Sequence, residues 1–140
     1  MTAAVSLVDV LDRVKAEYNR MIERWETSGL YFHLRYYMKR YAHRSWVRYG
    51  KLKDAVCAVL ALSRLGIPIS TPTVNFLLER GEQEVYQKLM YLASYNILEP
   101  VKASRSRRGR YIRTFKLTKQ FVEAVYKPLA ELKKKEEANS

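Results

Sequence analysis

Between Val101 and Lys119 the chain carries eight Lys or Arg side chains and no acid. Arg105, Arg107, Arg108 and Arg110 crowd around Gly109, and Arg113 follows closely. Like charges packed this densely repel one another, so folding alone gives little reason to keep them. A polyanion would neutralise them and gain by releasing its counterions. The competing reading is a solvated loop whose charges blunt a sheet edge.

Bond-making chemistry finds less support. Only His33 and His43 occur, with the single Cys57 distant from both, which is no zinc pattern. There is no Gly-rich phosphate loop, no His-Glu-x-x-His and no acidic pair suited to magnesium. The eleven tyrosines leave a DNA-cutting nucleophile open, but such a site needs convergent cations that sequence does not locate. The expectation is a binding module, not an enzyme, with no metal, no cofactor and no small-molecule substrate.

Composition narrows the partner. The 140 residues hold 26 basic and 14 acidic side chains, a net charge of +12. From Thr27 to Leu78 the only acid is Asp54. That imbalance makes a positive field that draws nucleic acid or anionic lipid. An apolar content of 48% belongs to a globular chain, and the length fits one domain, with or without an extension. Cys57 lies in the apolar run Ala55–Leu62 and reads as a small buried thiol. That run is too short for a membrane span, and the N-terminus lacks the pattern of a signal peptide. A cytoplasmic, nucleoid-associated protein is expected.

The elements that must carry the basic residues follow from periodicity. Leu7, Leu11, Val14, Tyr18, Met21 and Trp25 form a heptad-like stripe, widened by Val8 and Ile22, on a helix from about Ala3 to Ser28. The stripe fits packing on its own domain or a dimer seam equally well. A second helix, Leu30 to about Trp46, aligns Leu30, Leu34, Tyr37, Met38 and Tyr41. Its other surface carries Arg35, Lys39, Arg40, His43 and Arg44, then Arg48, with Tyr31, Phe32, Tyr36, Trp46 and Tyr49 interleaved. Basic side chains among flat rings suit backbone tracking or base stacking. They also suit tyrosines and arginines that merely bury their apolar parts.

Shorter elements follow. Lys51 to Leu65 reads as a buried helix closed by Gly66, and Pro68 makes Gly66–Ser70 extended. Thr71 is expected to cap a helix with Pro72 in its first position, reaching Leu78. Gly81 breaks it, and Glu82–Tyr95 forms the next helix with Val85, Leu89 and Leu92 inward. A hairpin runs out from Ile97–Val101, turns through Arg105–Arg110 and returns along Tyr111–Thr118. Thr118 caps a last helix bearing Phe121, Val122, Val125, Leu129 and Leu132, in which Pro128 should force a kink.

Helix, short strand, helix, turn, helix, hairpin is the order of a winged helix-turn-helix domain, which Lys51–Leu117 resembles throughout. Val85-Tyr86-x-x-Leu89-x-x-Leu92-x-x-x-Asn96-Ile97-Leu98-Glu99 is similar to that family's recognition helix running into its wing. Asn96 stands where Gly is usual, and Phe115-x-Leu117-Thr118 resembles the end of the second wing strand. The resemblance implies a mainly α fold with a small β-hairpin wing and N- and C-terminal helical extensions. Residues 1–49 would be a helical extension, 50–118 the winged domain, and 119–140 a C-terminal helix and charged tail. The flanking helices resemble the dimerisation extensions of small archaeal and viral regulators, which implies a homodimer through them.

The family places its second helix in the major groove and its wing on backbone or minor groove. Carried over, Gln83, Tyr86, Gln87, Lys88, Met90 and Tyr91 face the groove. Gln87 would read adenine, and Lys88 would meet guanine or phosphate. Arg105, Arg107, Arg108, Arg110 and Arg113 would hold phosphates, with Arg35, Lys39, Arg40, Arg44 and Arg48 widening the footprint. Glu82 and Glu84 favour the helix dipole but repel phosphate. The leading expectation is duplex DNA binding in transcriptional regulation. RNA or single strands stacked on the Tyr31–Tyr49 aromatics, and a protein–protein adaptor, are the rivals.

Overall fold

The computed structural model describes residues 7–25, 27, 29–41, 49–101, 104–105 and 111–129. It is mainly helical with a small three-stranded antiparallel sheet. The chain runs α1 (Leu7–Glu23), α2 (Leu30–Tyr41), α3 (Tyr49–Arg64), β1 (Ile69–Ser70), α4 (Thr71–Leu78) and α5 (Glu82–Ser94). There follow β2 (Leu98–Pro100), β3 (Ser104–Arg105), β4 (Tyr111–Ile112), β5 (Thr114–Leu117) and α6 (Lys119–Phe121). Strand order in the main sheet is β1-β5-β2, while β3 and β4 pair separately.

The core is built around α3, in which every residue from Ala55 to Leu62 is buried. A helix buried on all sides needs neighbours on all sides. Helices α1, α4 and α5 all pack on it, as does β1. Val14 and Trp25 of the first stripe are buried here, with Tyr18, Met21 and Ile22 packed against the same cluster. Those five side chains thus pack within their own chain. Val8 was expected to widen it but stands 64% exposed, and the helix ends at Glu23, short of Ser28. Helix α2 buries Leu30, Leu34, Tyr37 and Met38, and packs on the C-terminal helix. The expected continuation to Trp46 lies outside the described residues.

Two helices end the same way. Past α3, Ile67 N–H donates to Leu62 O at 2.9 Å and Gly66 N–H to Ser63 O at 3.2 Å, with Gly66 at φ 72°. Past α5, Ile97 N–H donates to Leu92 O at 3.0 Å and Asn96 N–H to Ala93 O at 3.1 Å, with Asn96 at φ 61°. Both are Schellman endings, and buried Leu92 and Ile97 supply the apolar contact that accompanies one. Asn is the side chain best able to take that left-handed position in place of Gly.

Helix α4 starts one residue earlier than expected. Its cap is Ser70, not Thr71: Ser70 Oγ accepts from Thr73 N–H at 3.4 Å while Thr73 Oγ1 accepts from Ser70 N–H at 2.9 Å. This reciprocal box satisfies two backbone donors, so Thr71 becomes the first helical residue and Pro72 the second. The turn to α5 is held by Asn75, whose Oδ1 accepts Arg80 N–H at 3.0 Å and Gly81 N–H at 3.1 Å. At the far end Thr118 caps α6 as expected, accepting Phe121 N–H at 3.1 Å. The helix then passes into a π-helical segment, Val122–Tyr126, and continues helically through residue 129. The wide turn lies just ahead of Pro128 and relieves the clash of its ring with the preceding carbonyls.

Candidate nucleic-acid interface

The hairpin grows from two ladders. Leu98, Glu99 and Pro100 pair with Leu117, Lys116 and Phe115, and farther out Ser104 and Arg105 pair with Ile112 and Tyr111. Val101 N–H donates to Thr114 O at 2.8 Å between them. The inner end is fixed to the body because β5 also pairs with β1, Ile69 opposite Phe115, both buried. The outer ladder pairs Arg105 with Tyr111, at the two ends of the connection 106–110. Arg107, Arg108 and Arg110 belong to that connection and lie outside the described residues. Arg113 is exposed between β4 and β5. Lys116 faces Glu99 across the ladder at 3.2 Å, an exposed pair of small energetic weight.

Helix α5 turns Val85, Leu89 and Leu92 fully inward. That leaves Gln83, Tyr86, Gln87, Met90 and Tyr91 exposed on the opposite face, with Tyr91 stacked on Tyr95 at 6.5 Å between ring centroids. Lys88 departs from the expectation. Its Nζ lies 3.0 Å from Asp54 Oδ1 and 2.8 Å from Oδ2, and its side chain is only 15% exposed. The lysine spans the rim of the α3–α5 contact instead of facing solvent, because a half-buried Asp54 needs a counter-charge. Arg80 joins the same carboxylate at 3.5 Å and reaches Glu84 at 4.0 Å. The outer face of α5 is therefore uncharged along its centre, with exposed Glu82 and Glu84 at its start.

On α2, Arg35 and Lys39 are exposed, and Arg40 Nη1 donates to the exposed Tyr36 hydroxyl at 3.0 Å. Arg44 and Arg48 lie outside the described residues, as does the stacking candidate Trp46. The helix is tied to the hairpin root at one atom. Asn96 O accepts the Tyr37 phenol at 2.6 Å and the Thr118 hydroxyl at 2.7 Å, while Asn96 Nδ2 donates to Gln120 Oε1. Tyr37 also meets Phe121 edge-on at 5.2 Å.

Sequence patterns did not point to the Asp54 cluster. Its signal was present, since a lone carboxylate directly ahead of an eight-residue apolar run cannot stay unpaired cheaply. Tyr18 lies in its field: burial first, and Asp54 second, push the phenol up to about 12. Burial likewise pushes the Cys57 thiol up to about 12 and raises Tyr126 above its ordinary value. Among the described residues no helix is long and apolar enough to cross a membrane. No family model, curated protein or solved structure matches this chain.

Proposed function

We propose that the chain is a winged helix-turn-helix protein that binds double-stranded DNA, acting as a regulator of transcription. The observation that carries this reading is the hairpin: its outer ladder pairs Arg105 with Tyr111, and the connection between them has the sequence Ser-Arg-Arg-Gly-Arg. The order α3, β1, α4, α5, hairpin, with β1 paired to the returning arm, supports the fold assignment. In this reading the arm's arginines hold phosphates, while Gln83, Gln87 and Tyr91 approach base edges from α5. Lys88 has no part in it, being engaged by Asp54. Arg35, Lys39 and Arg40 extend the positive field.

A neutral α5 face divides the labour: cations on the arm supply affinity, and amide and aromatic groups on the helix discriminate between sequences. A homodimer formed through the terminal helices, a nucleoid-associated place in the cytoplasm and the absence of catalysis belong to the same proposal. Glu82 and Glu84 at the start of α5 favour one second reading, a protein–protein adaptor, since carboxylates there repel phosphate.

Gel shifts with a random duplex pool at rising salt test the proposal. Replacing Arg105, Arg107, Arg108 and Arg110 by Ala should weaken duplex binding uniformly across sequences. The slope of log affinity against log salt should fall by roughly 0.9 for each phosphate that is no longer neutralised. An unchanged slope would remove the arm from the interface. Intact binding to a partner protein, with no duplex binding by the parent, would establish the adaptor.

A further inference from the structure

We propose that the outer face of α2 is a second nucleic-acid site, one that stacks unpaired bases of a single strand. The inward stripe of this helix turns Phe32 and Tyr36 to solvent, one turn apart, at 74% and 59% exposure. Arg35 and Lys39 are exposed on the same helix, and Leu30–Tyr41 contains no acid. The occupant must therefore bring negative charge together with flat apolar surface. A duplex brings the charge but hides its base faces inside the stack. An unpaired strand brings both in every nucleotide, and aromatic rings flanked by cations are the surface that holds it.

Spacing agrees with this choice. Residues four apart on a helix rise by about 6 Å, well beyond the roughly 3.4 Å between bases stacked in a duplex strand. Two bases held by Phe32 and Tyr36 belong to a strand already drawn out. The Arg40 hydrogen bond to the Tyr36 hydroxyl restrains that ring before any ligand arrives. This site is independent of the hairpin, so either proposal stands or falls without the other.

The test measures binding of the full chain to labelled oligothymidine and to a duplex of equal length. Phe32→Ala with Tyr36→Ala should weaken oligothymidine binding by roughly thirtyfold or more, the loss of two base stacks, and leave duplex binding within about twofold. Phe32→Trp with Tyr36→Trp should retain it, and Arg35→Glu should weaken it several-fold, so the test survives if the alanine pair melts early. The proposal is overturned if the parent ignores oligothymidine, or if the alanine pair binds it as the parent does. It is equally overturned if the alanine pair turns a dimer into a monomer while oligothymidine affinity holds, since the face then covers a second copy. A parent that takes oligothymidine and no duplex leaves this site standing and removes the function proposed above.

Discussion

Lys88 Nζ sits within 3.0 Å of both carboxylate oxygens of Asp54, joining the helix presented to solvent to the most buried helix of the fold. The two side chains are 15% and 18% exposed, so the pair is mostly withdrawn from water, and removing one partner leaves the other poorly solvated. Asp54→Asn should lower stability by roughly 2–4 kcal/mol, because it strands the mostly buried Lys88, while the exposed Arg80 keeps Glu84. Lys88→Met should cost less, about 1–2 kcal/mol, since Arg80 still serves the carboxylate. Urea unfolding measures both. At a temperature where Lys88→Met is folded, its duplex affinity should equal the parent's. A tenfold loss would mean that the lysine leaves Asp54 to meet phosphate.

Asn96 combines a left-handed backbone with a doubly used carbonyl. Asn96→Gly and Asn96→Ala both remove the hydrogen bond to Gln120, so their difference isolates the backbone. The alanine variant should be less stable than the glycine variant by about 1 kcal/mol. Tyr37→Phe keeps the ring against Phe121 and should cost about 1 kcal/mol for the missing hydrogen bond. Thermal unfolding of the three variants checks both expectations.

The cap of α4 separates two neighbouring hydroxyls. Ser70→Ala should destabilise by about 1 kcal/mol, whereas Thr71→Ala should stay within roughly 0.5 kcal/mol. Chemical denaturation of the two variants decides it, and equal losses would return the cap to Thr71.

Alkali should unfold the protein before its arginines respond. The Cys57 thiol moves from 9.0 to about 12 in the fold, and the Tyr18 phenol from 10.0 to about 12. Both are acids kept protonated by burial. Above about pH 9 the unfolded chain releases protons that the folded chain retains, so stability is full below that pH and falls as pH rises towards 12. Denaturant midpoints across this window should drop, and Cys57→Ala with Tyr18→Phe should flatten the fall. At pH 8 a thiol reagent should leave native Cys57 unmodified and label it completely in guanidinium.

Local rules reached far into this chain, and they stopped where partners are distant in sequence. Val85, Leu89 and Leu92 are inward because a 3.6-residue period leaves them one face, and Asn96 takes a left-handed cap because few residues can. Thr118 caps because a hydroxyl ahead of a helix does so. Lys88 departs from its expected place for a different reason: helix periodicity sets it beside Gln87, but a carboxylate 34 residues earlier decides where it points. Ser70 displaced Thr71 because the Thr73 side chain completes a reciprocal pair only with Ser70. Val8 is exposed near the start of α1 while Ile22, the other residue expected to widen the stripe, packs on the core near its end, a difference that periodicity alone does not set. The widened turn before Pro128 answers a steric demand that the sequence showed, by a route it did not.

The peptide at Asn96 has a mechanical meaning. Its one oxygen fastens the first third of the chain, through Tyr37, and the last, through Thr118, at the point where the hairpin leaves the body. Thr118 N–H adds a further rivet by donating to Ile97 O at 3.0 Å. Two hydroxyls from opposite ends of the sequence thus share one acceptor at the root of the hairpin, so losing either one leaves the other still holding that junction.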